Sequence, residues 1–292
     1  MPFASLNDCR LYYEMDGAGA PVVYVHGGFA GLDTVLRDLQ PFDWSWERAF
    51  AAHFTFIAYD RRGCYRSSSP DSGYDLLQQA ADLAGLLDHL GIPAAHVIGS
   101  SAGGPISVLF AAHYPQRVRS LVLVGTACDL FPAGEPGSDT VREHLAILAR
   151  DSANAAFDQR PAEVEVTFSE LWDEAEARAR GTLNAYAARR QQWRERAVQL
   201  PRAQRVHYYQ TELLSMQSYM QVDVCAYAAT ISRPCLVIHG SSDQMVPVAD
   251  AAALAAAIPM AHFELIADGP HTLMALHDDA RKRVIRFLQE ER

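Results

Sequence analysis

The chain has 292 residues, 49% apolar and 21% charged, which is enough apolar material for a large core and too much for a disordered chain. Its formal net charge of -10 excludes the concentrated basic surface that phosphate binding requires, so no nucleic-acid partner is expected. No run approaches the ~18 apolar residues of a membrane span, and residues 1–10 lack a basic stretch followed by an apolar one, so the expectation is a cytoplasmic protein with no membrane partner.

In chain order, short apolar runs alternate with helical patterns. Residues 11–14 form an early strand turned by Asp16, Gly17 and Gly19. Residues 22–25, 54–59, 96–98, 121–124, 236–238 and 262–266 are short and rich in β-branched or aromatic residues, as buried parallel strands are. Between them, 76–90 places leucines near helical spacing before Gly91 and Pro93 stop it, and 102–113 runs as a helix to Pro115. Residues 250–257 and 279–290 supply two more helices. Strands alternating with helices predict an α/β fold, a mainly parallel, doubly wound sheet.

Residues 129–229 break the alternation. They contain no clear strand and carry helical runs at 164–180 and 184–198, and the Pro- and Gly-rich stretch 131–137 reads as a hinge. The expected organisation is a core of residues 1–128 and 230–292 with an inserted helical cap, 129–229. Within the cap, Trp172, Trp193, Tyr208, Tyr209, Met216, Tyr219 and Met220 are candidates for a wide apolar pocket, although stripes at helical spacing are more often core. The alternative pocket wall is the loop 29–46.

Five cysteines, Cys9, Cys64, Cys128, Cys225 and Cys235, lack the C-x-x-C spacing of a zinc or redox site, and an odd, sparse set points to a reducing compartment. With no H-E-x-x-H segment either, no metal and no cofactor are expected.

Chemistry concentrates at Gly99-Ser100-Ser101-Ala102-Gly103, a G-x-S-x-G pattern set between a strand and a helix. Such a turn strains the central serine and exposes its hydroxyl, while small residues on either side admit neighbouring backbone. Ser101 is therefore the candidate nucleophile. It needs a base, because a hydroxyl attacks only as its proton is removed. Of eleven histidines, His271 follows the last strand through a loop at its C-terminal end, the edge where open α/β sheets place their sites. His277 and His239 read as structural. The acid that orients the histidine belongs to the loop after the preceding strand, which gives Asp243, with Asp129 as rival. The oxyanion formed on attack requires two amides. Ala102 supplies one. The turn His26-Gly27-Gly28-Phe29 supplies the other, from Gly28 first or Phe29 second, with His26 holding the loop by hydrogen bonds.

His26-Gly27-Gly28, Asp60-Arg61-Arg62-Gly63 with Ser67, the turn at Ser101, and Asp243 followed by His271 stand in the order and spacing of the α/β-hydrolase superfamily, which the chain resembles across its sheet-forming parts. Relatives often carry Asp-x-Arg-Gly-x-Gly-x-Ser in the second segment; here Tyr65 replaces the second glycine. A serine at position 101 disfavours the dehalogenase and epoxide-hydrolase branches, which use aspartate. The resemblance implies a serine hydrolase with a Ser-His-Asp triad, and we expect it to cleave a small apolar or aromatic carboxylic ester or lactone through an acyl-enzyme. Amide or iminopeptidase-type cleavage and carbon-carbon bond hydrolysis are the alternatives on the same triad. Behind them stand a ligand receptor with a weakened triad and cofactor-free oxygen chemistry.

Overall fold

The computed structural model describes residues 2–35 and 45–291, so residues 36–44 of the 29–46 loop lie outside the described residues. The described strands are β1 (Phe3–Leu6), β2 (Cys9–Asp16), β3 (Pro21–Val25), β4 (Thr55–Tyr59), β5 (Ala95–Ser100), β6 (Val118–Val124), β7 (Cys235–Gly240) and β8 (Ala261–Ile266). They form one sheet in the order β1-β2-β4-β3-β5-β6-β7-β8. β1 pairs antiparallel with β2, and β2 with β4; from β4 to β8 every pairing is parallel.

Alternation along the strands builds two apolar layers. Val23 and Val25 of β3 face the helices Leu76–His89, Gly103–His113 and Val248–Ala257, whereas Val22 and Tyr24 face Arg48–Ala51 and Asp278–Glu290. The sheet is therefore doubly wound, as expected. Helix Leu76–His89 starts where the Asp75 side chain accepts the Gln78 amide at 2.8 Å and stops at Gly91, whose φ is +67°.

Two strand expectations change. β1 was not anticipated: only Ala4 of its four residues is fully buried, and the two-residue turn Asn7-Asp8, with φ of 46° and 64°, folds it back on β2. Nor are all the strands read as buried and parallel buried: β8 pairs parallel with β7 but lies at the edge, with Phe263 and Leu265 exposed.

Between β6 and β7 the chain contributes helices Pro136–Arg150, Ala153–Asp158, Glu170–Ala179, Leu183–Gln199, Arg202–Met220 and Val224–Ala228, with no strand among its described residues. The helix expected from residue 164 starts at Glu170 instead, because the Glu170 carboxylate turns back to accept the amides of Val166 and Thr167 at 2.8 and 3.0 Å. The insertion has no wholly separate core: Val141, Phe168, Tyr209, Leu213 and Met216 belong to the same cluster as the sheet residues Val97 and Leu121. Val224–Ala228 packs on Gly103–His113 and Val248–Ala257.

A disulfide joins Cys128 to Cys225 across 97 residues, close to the two ends of the insertion, with their Cα atoms 5.3 Å apart. It removes the ground on which a reducing compartment was expected, because the odd count arises from one bridge and the three buried thiols Cys9, Cys64 and Cys235.

Candidate active site

β4 lies on one side of β3 and β5 on the other, so the crossovers that leave β3 and β5 run over opposite faces of the sheet. A crevice opens at such a switch of strand order. The turn after β3 carries Gly28, and the turn after β5 carries Ser101.

Ser101 sits at φ +50°, a left-handed conformation that costs a non-glycine residue ~1–2 kcal/mol. Crowding fixes it there. A Cβ on Gly103 would stand 2.1 Å from the Val25 carbonyl oxygen at the end of β3, and one on Gly99 2.4 Å from Ser107 Oγ, so the helix after Ser101 closes on β3 through the first glycine and on β5 through the second. The Ser101 amide donates to Val124 O at 2.9 Å, and its carbonyl accepts from Gly104 N and Thr126 Oγ1, each at 2.8 Å.

Loops from β7 and β8 bring in the other two groups. His271 Nε2 lies 3.0 Å from Ser101 Oγ, and His271 Nδ1 lies 2.8 Å from Asp243 Oδ2. The second oxygen of Asp243 accepts the amides of Met245 and Val246 at 2.9 Å each, so Asp243 is acceptor-only and Nδ1 of His271 carries the proton. Nε2 is left to accept from the serine. Burial acts to lower the pKa of His271, but the hydrogen bond and charge of Asp243, with Glu176 and Asp173 beyond, outweigh it and hold the imidazole above its ordinary 6.5. Burial acts to raise Asp243, and the His271 hydrogen bond and charge with the two amides bring it below 3.8. The rival Asp129 instead accepts the Phe131 amide at 2.8 Å within its own turn. His239, read as structural, stands 3.4 Å from Asp243 Oδ2 and 3.0 Å from Val246 O, packing the acid loop from beneath.

The Ala102 and Gly28 amides, the candidate oxyanion donors, are aimed by the carbonyls of their own peptides. In a trans peptide the N–H points opposite to the C=O, so whatever grips the carbonyl sets the direction of the amide. Thr126 and Gly104 grip Ser101 O, which turns out the Ala102 amide. Gly27 O is gripped by His26 Nδ1 at 2.6 Å and Arg61 Nη2 at 3.3 Å, which turns out the Gly28 amide. His26 also accepts the Arg61 amide at 3.1 Å, and burial with the Arg61 charge holds its pKa well below 6.5, so it serves as a neutral brace. Neither the Ala102 nor the Gly28 amide donates to a protein acceptor among the described residues. Phe29, the second choice, is engaged: its amide donates to Asp33 Oδ2 at 2.5 Å.

Tyr65, which stands where relatives carry glycine, takes φ +43°, so the turn keeps a left-handed residue, and its ring meets His26 at 5.3 Å. A cavity of about 300 Å³ opens over Ser101 between Tyr24, Phe29, Trp46, Tyr65 and Met274, with Ser169 and Asp173 of the insertion above. A smaller extension runs past Phe131 and Trp172. Of the seven pocket candidates, Trp172 alone lines these spaces among the described residues. Trp193 packs with Tyr186 inside the insertion, and Tyr209 and Met216 belong to the main core. Tyr219 lies behind the site, its hydroxyl donating to Ala102 O at 2.8 Å.

Glu176, buried in helix Glu170–Ala179, was not foreseen. One of its oxygens accepts the His271 amide at 3.3 Å and the other the Gln244 amide at 3.2 Å, so one carboxylate touches the loops that carry both His271 and Asp243.

The chain belongs to the alpha/beta hydrolase fold family, whose sequence profile matches residues 20–278. A non-heme haloperoxidase of Rhodococcus erythropolis is 27% identical over 86% of this chain and 85% of its own length. A protein of Azorhizobium caulinodans that carries the name carbamate hydrolase RutD is 36% identical, over 42% of this chain and 44% of its own. The crystal structure of the enol-lactonase from Burkholderia xenovorans LB400 matches with a TM-score of 0.70 at 23% identity, over 99% of this chain and 100% of that one.

Proposed function

We propose that the chain is a serine hydrolase that cleaves a neutral carboxylic ester or lactone. The observation that carries this reading is the unbroken hydrogen-bond series Asp243–His271–Ser101, which ends in a cavity beside the unoccupied amides of Gly28 and Ala102. Ser101 Oγ attacks the carbonyl carbon while His271 Nε2 takes the serine proton. The Gly28 and Ala102 amides hold the oxyanion. His271 then gives the proton to the departing alkoxide as the C–O bond breaks, and water releases the acid by the same steps.

The lining supports a neutral, apolar or aromatic substrate. Among the described residues no lysine or arginine lines the cavity, while Asp33 and Asp173 do, so a substrate carboxylate would have no lining cation to pair with and two carboxylates nearby. This argues against carbon-carbon hydrolysis of carboxylate-bearing diketones. On the same reading residues 129–229 act as a cap over a core of 1–128 and 230–292.

The test offers p-nitrophenyl butyrate, a γ-lactone, a neutral amide and an ester bearing a free carboxylate to the purified protein and to Ser101→Ala. Turnover of the neutral ester or lactone, lost in Ser101→Ala, is expected, with the charged ester poor. Retention of rate by Ser101→Ala, or failure of a fluorophosphonate to label Ser101, overturns the proposal and favours the receptor reading.

A further inference from the structure

Arg61 is one of the most deeply buried cations in the chain, 1% exposed, and among the described residues no carboxylate lies within ion-pair distance of it. Its neighbour Arg62, equally buried, follows the ordinary rule by pairing with Asp82 at 2.6 Å. A buried cation without a counter-ion costs several kcal/mol relative to water, so its acceptors are informative. Among the described residues they are all neutral: Gln79 Oε1 at 2.8 Å, the Tyr219 hydroxyl at 3.4 Å, Gly27 O at 3.3 Å and Gly28 O, with no partner on Nε.

Two of these contacts lead to the oxyanion site. Gly27 O belongs to the peptide whose other end is the Gly28 amide. Tyr219 OH, which accepts from Arg61, donates in turn to Ala102 O, the carbonyl of the residue whose amide is the second donor. One guanidinium thus reaches the first oxyanion peptide directly and the second oxyanion residue through a single hydroxyl.

We propose that Arg61 is a positioning residue for transition-state stabilisation, its charge, held by neutral acceptors, polarising and orienting the Gly27–Gly28 peptide so that the Gly28 amide meets the developing oxyanion. The inference rests on the reading of Ser101 as nucleophile. Among the described residues no carboxylate lies within ion-pair distance of the guanidinium; the Asp33 carboxylate stands one peptide away, accepting the Phe29 amide beyond the Gly28 carbonyl, so the Arg61 charge acts most directly on the Gly27 carbonyl. A positive charge in a low-dielectric setting favours negative charge on the substrate carbonyl oxygen only once that charge develops. The same absence makes the residue costly to the fold, so replacing it by an apolar side chain of similar length should cost little stability.

The experiment measures kcat and KM for p-nitrophenyl butyrate and the inhibition constant of a trifluoromethyl ketone, which forms an oxyanionic adduct with serine, on wild type, Arg61→Met, Tyr219→Phe and Ser101→Ala. Expected for Arg61→Met is a fall in kcat of roughly 10- to 100-fold, less than or comparable to removing a direct donor, with KM nearly constant, a proportional weakening of the ketone and no loss of melting temperature. Tyr219→Phe, which keeps the ring, should show the same pattern several-fold more weakly, and decides the matter if Arg61→Met does not fold. Unchanged kcat and ketone affinity in folded variants, with Ser101→Ala inactive, would overturn the role of Arg61 alone. An active Ser101→Ala would overturn the nucleophile reading beneath it.

Discussion

The Thr126 hydroxyl donates to the Ser101 carbonyl at 2.8 Å, gripping the peptide whose far end is the Ala102 amide. Thr126→Val keeps the shape and removes that donor. A neutral hydrogen bond contributes about 1 kcal/mol, roughly fivefold in rate if it is felt in the transition state. The expected result is a kcat lower by about that factor with KM little changed, read from steady-state kinetics on a neutral ester; a change in KM alone would place Thr126 in substrate binding.

The acid is separable from its rival by two variants. Asp243→Asn preserves shape but offers the imidazole an amide, which favours the wrong tautomer, and a loss on the order of 10⁴ in kcat is expected. Asp129→Asn should leave kcat near wild type, because among the described residues Asp129 accepts the Phe131 amide of its own turn and does not reach His271.

The pH dependence follows from the charges around His271. As general base the imidazole must be neutral, so kcat/KM falls as pH drops through a midpoint above 6.5. The groups that face it are Asp243 in the β7 loop, Asp173 and Glu176 on helix Glu170–Ala179, and His239 at the end of β7. Glu176→Gln removes one of the charges that raise it, and the midpoint should move down. The stability contribution has the opposite sense to activity: with a raised folded-state pKa, it is complete below 6.5 and lost as pH rises through the raised value. Rate profiles and imidazole proton resonances measured on the same samples check both, and an unmoved midpoint in Glu176→Gln would refute the electrostatic role.

Trp172 and Trp193, indistinguishable by residue type and helical setting, should behave differently. Trp172→Ala opens the cavity wall next to Phe131 and should change the preference between a bulky aromatic ester and an acetate by about 1–3 kcal/mol. Trp193→Ala should leave that ratio alone and lower stability by about 3–5 kcal/mol, since its ring packs on Tyr186 within the insertion. Kinetic ratios and denaturant midpoints separate the two.

What could be read in advance tracks how local the signal is. Ser101, His271 and Asp243 each follow a strand within a few residues, and the sheet edge brings their side chains within hydrogen-bond distance, so strand and turn patterns sufficed to predict that they meet. The G-x-S-x-G turn also announced Ala102. By contrast, that Gly28 rather than Phe29 has a vacant amide depends on the Asp33 carboxylate, four residues on and facing back. Thr126 and Glu176 reach the site from different elements, and nothing in their own neighbourhoods distinguishes them from surface residues of the same type; Arg61 lies in the Asp60–Gly63 segment that carried the resemblance, but its contact with Gly27 O depends on a loop 34 residues away. Cys128 and Cys225 are 97 residues apart, a separation that carries no spacing rule. The aromatic residues of the insertion misled because helical periodicity marks a buried face without saying what is buried against it. β1 was passed over because four residues are too short a run to show a period, although the Asn7-Asp8 turn beside it was available.

The Cys128–Cys225 bridge joins the chain close to where the inserted helices leave and rejoin the sheet, which marks out a segment that a graft could exchange between scaffolds at two neighbouring points. Such a chimera would not inherit substrate preference by itself. Ser169, Trp172 and Asp173 would leave with the exchanged segment, and so would Glu176, the carboxylate that grips the loops of the base and the acid. A protein given a foreign segment would acquire a new pocket wall and a new working pH in the same exchange, so the two traits would travel as one heritable unit.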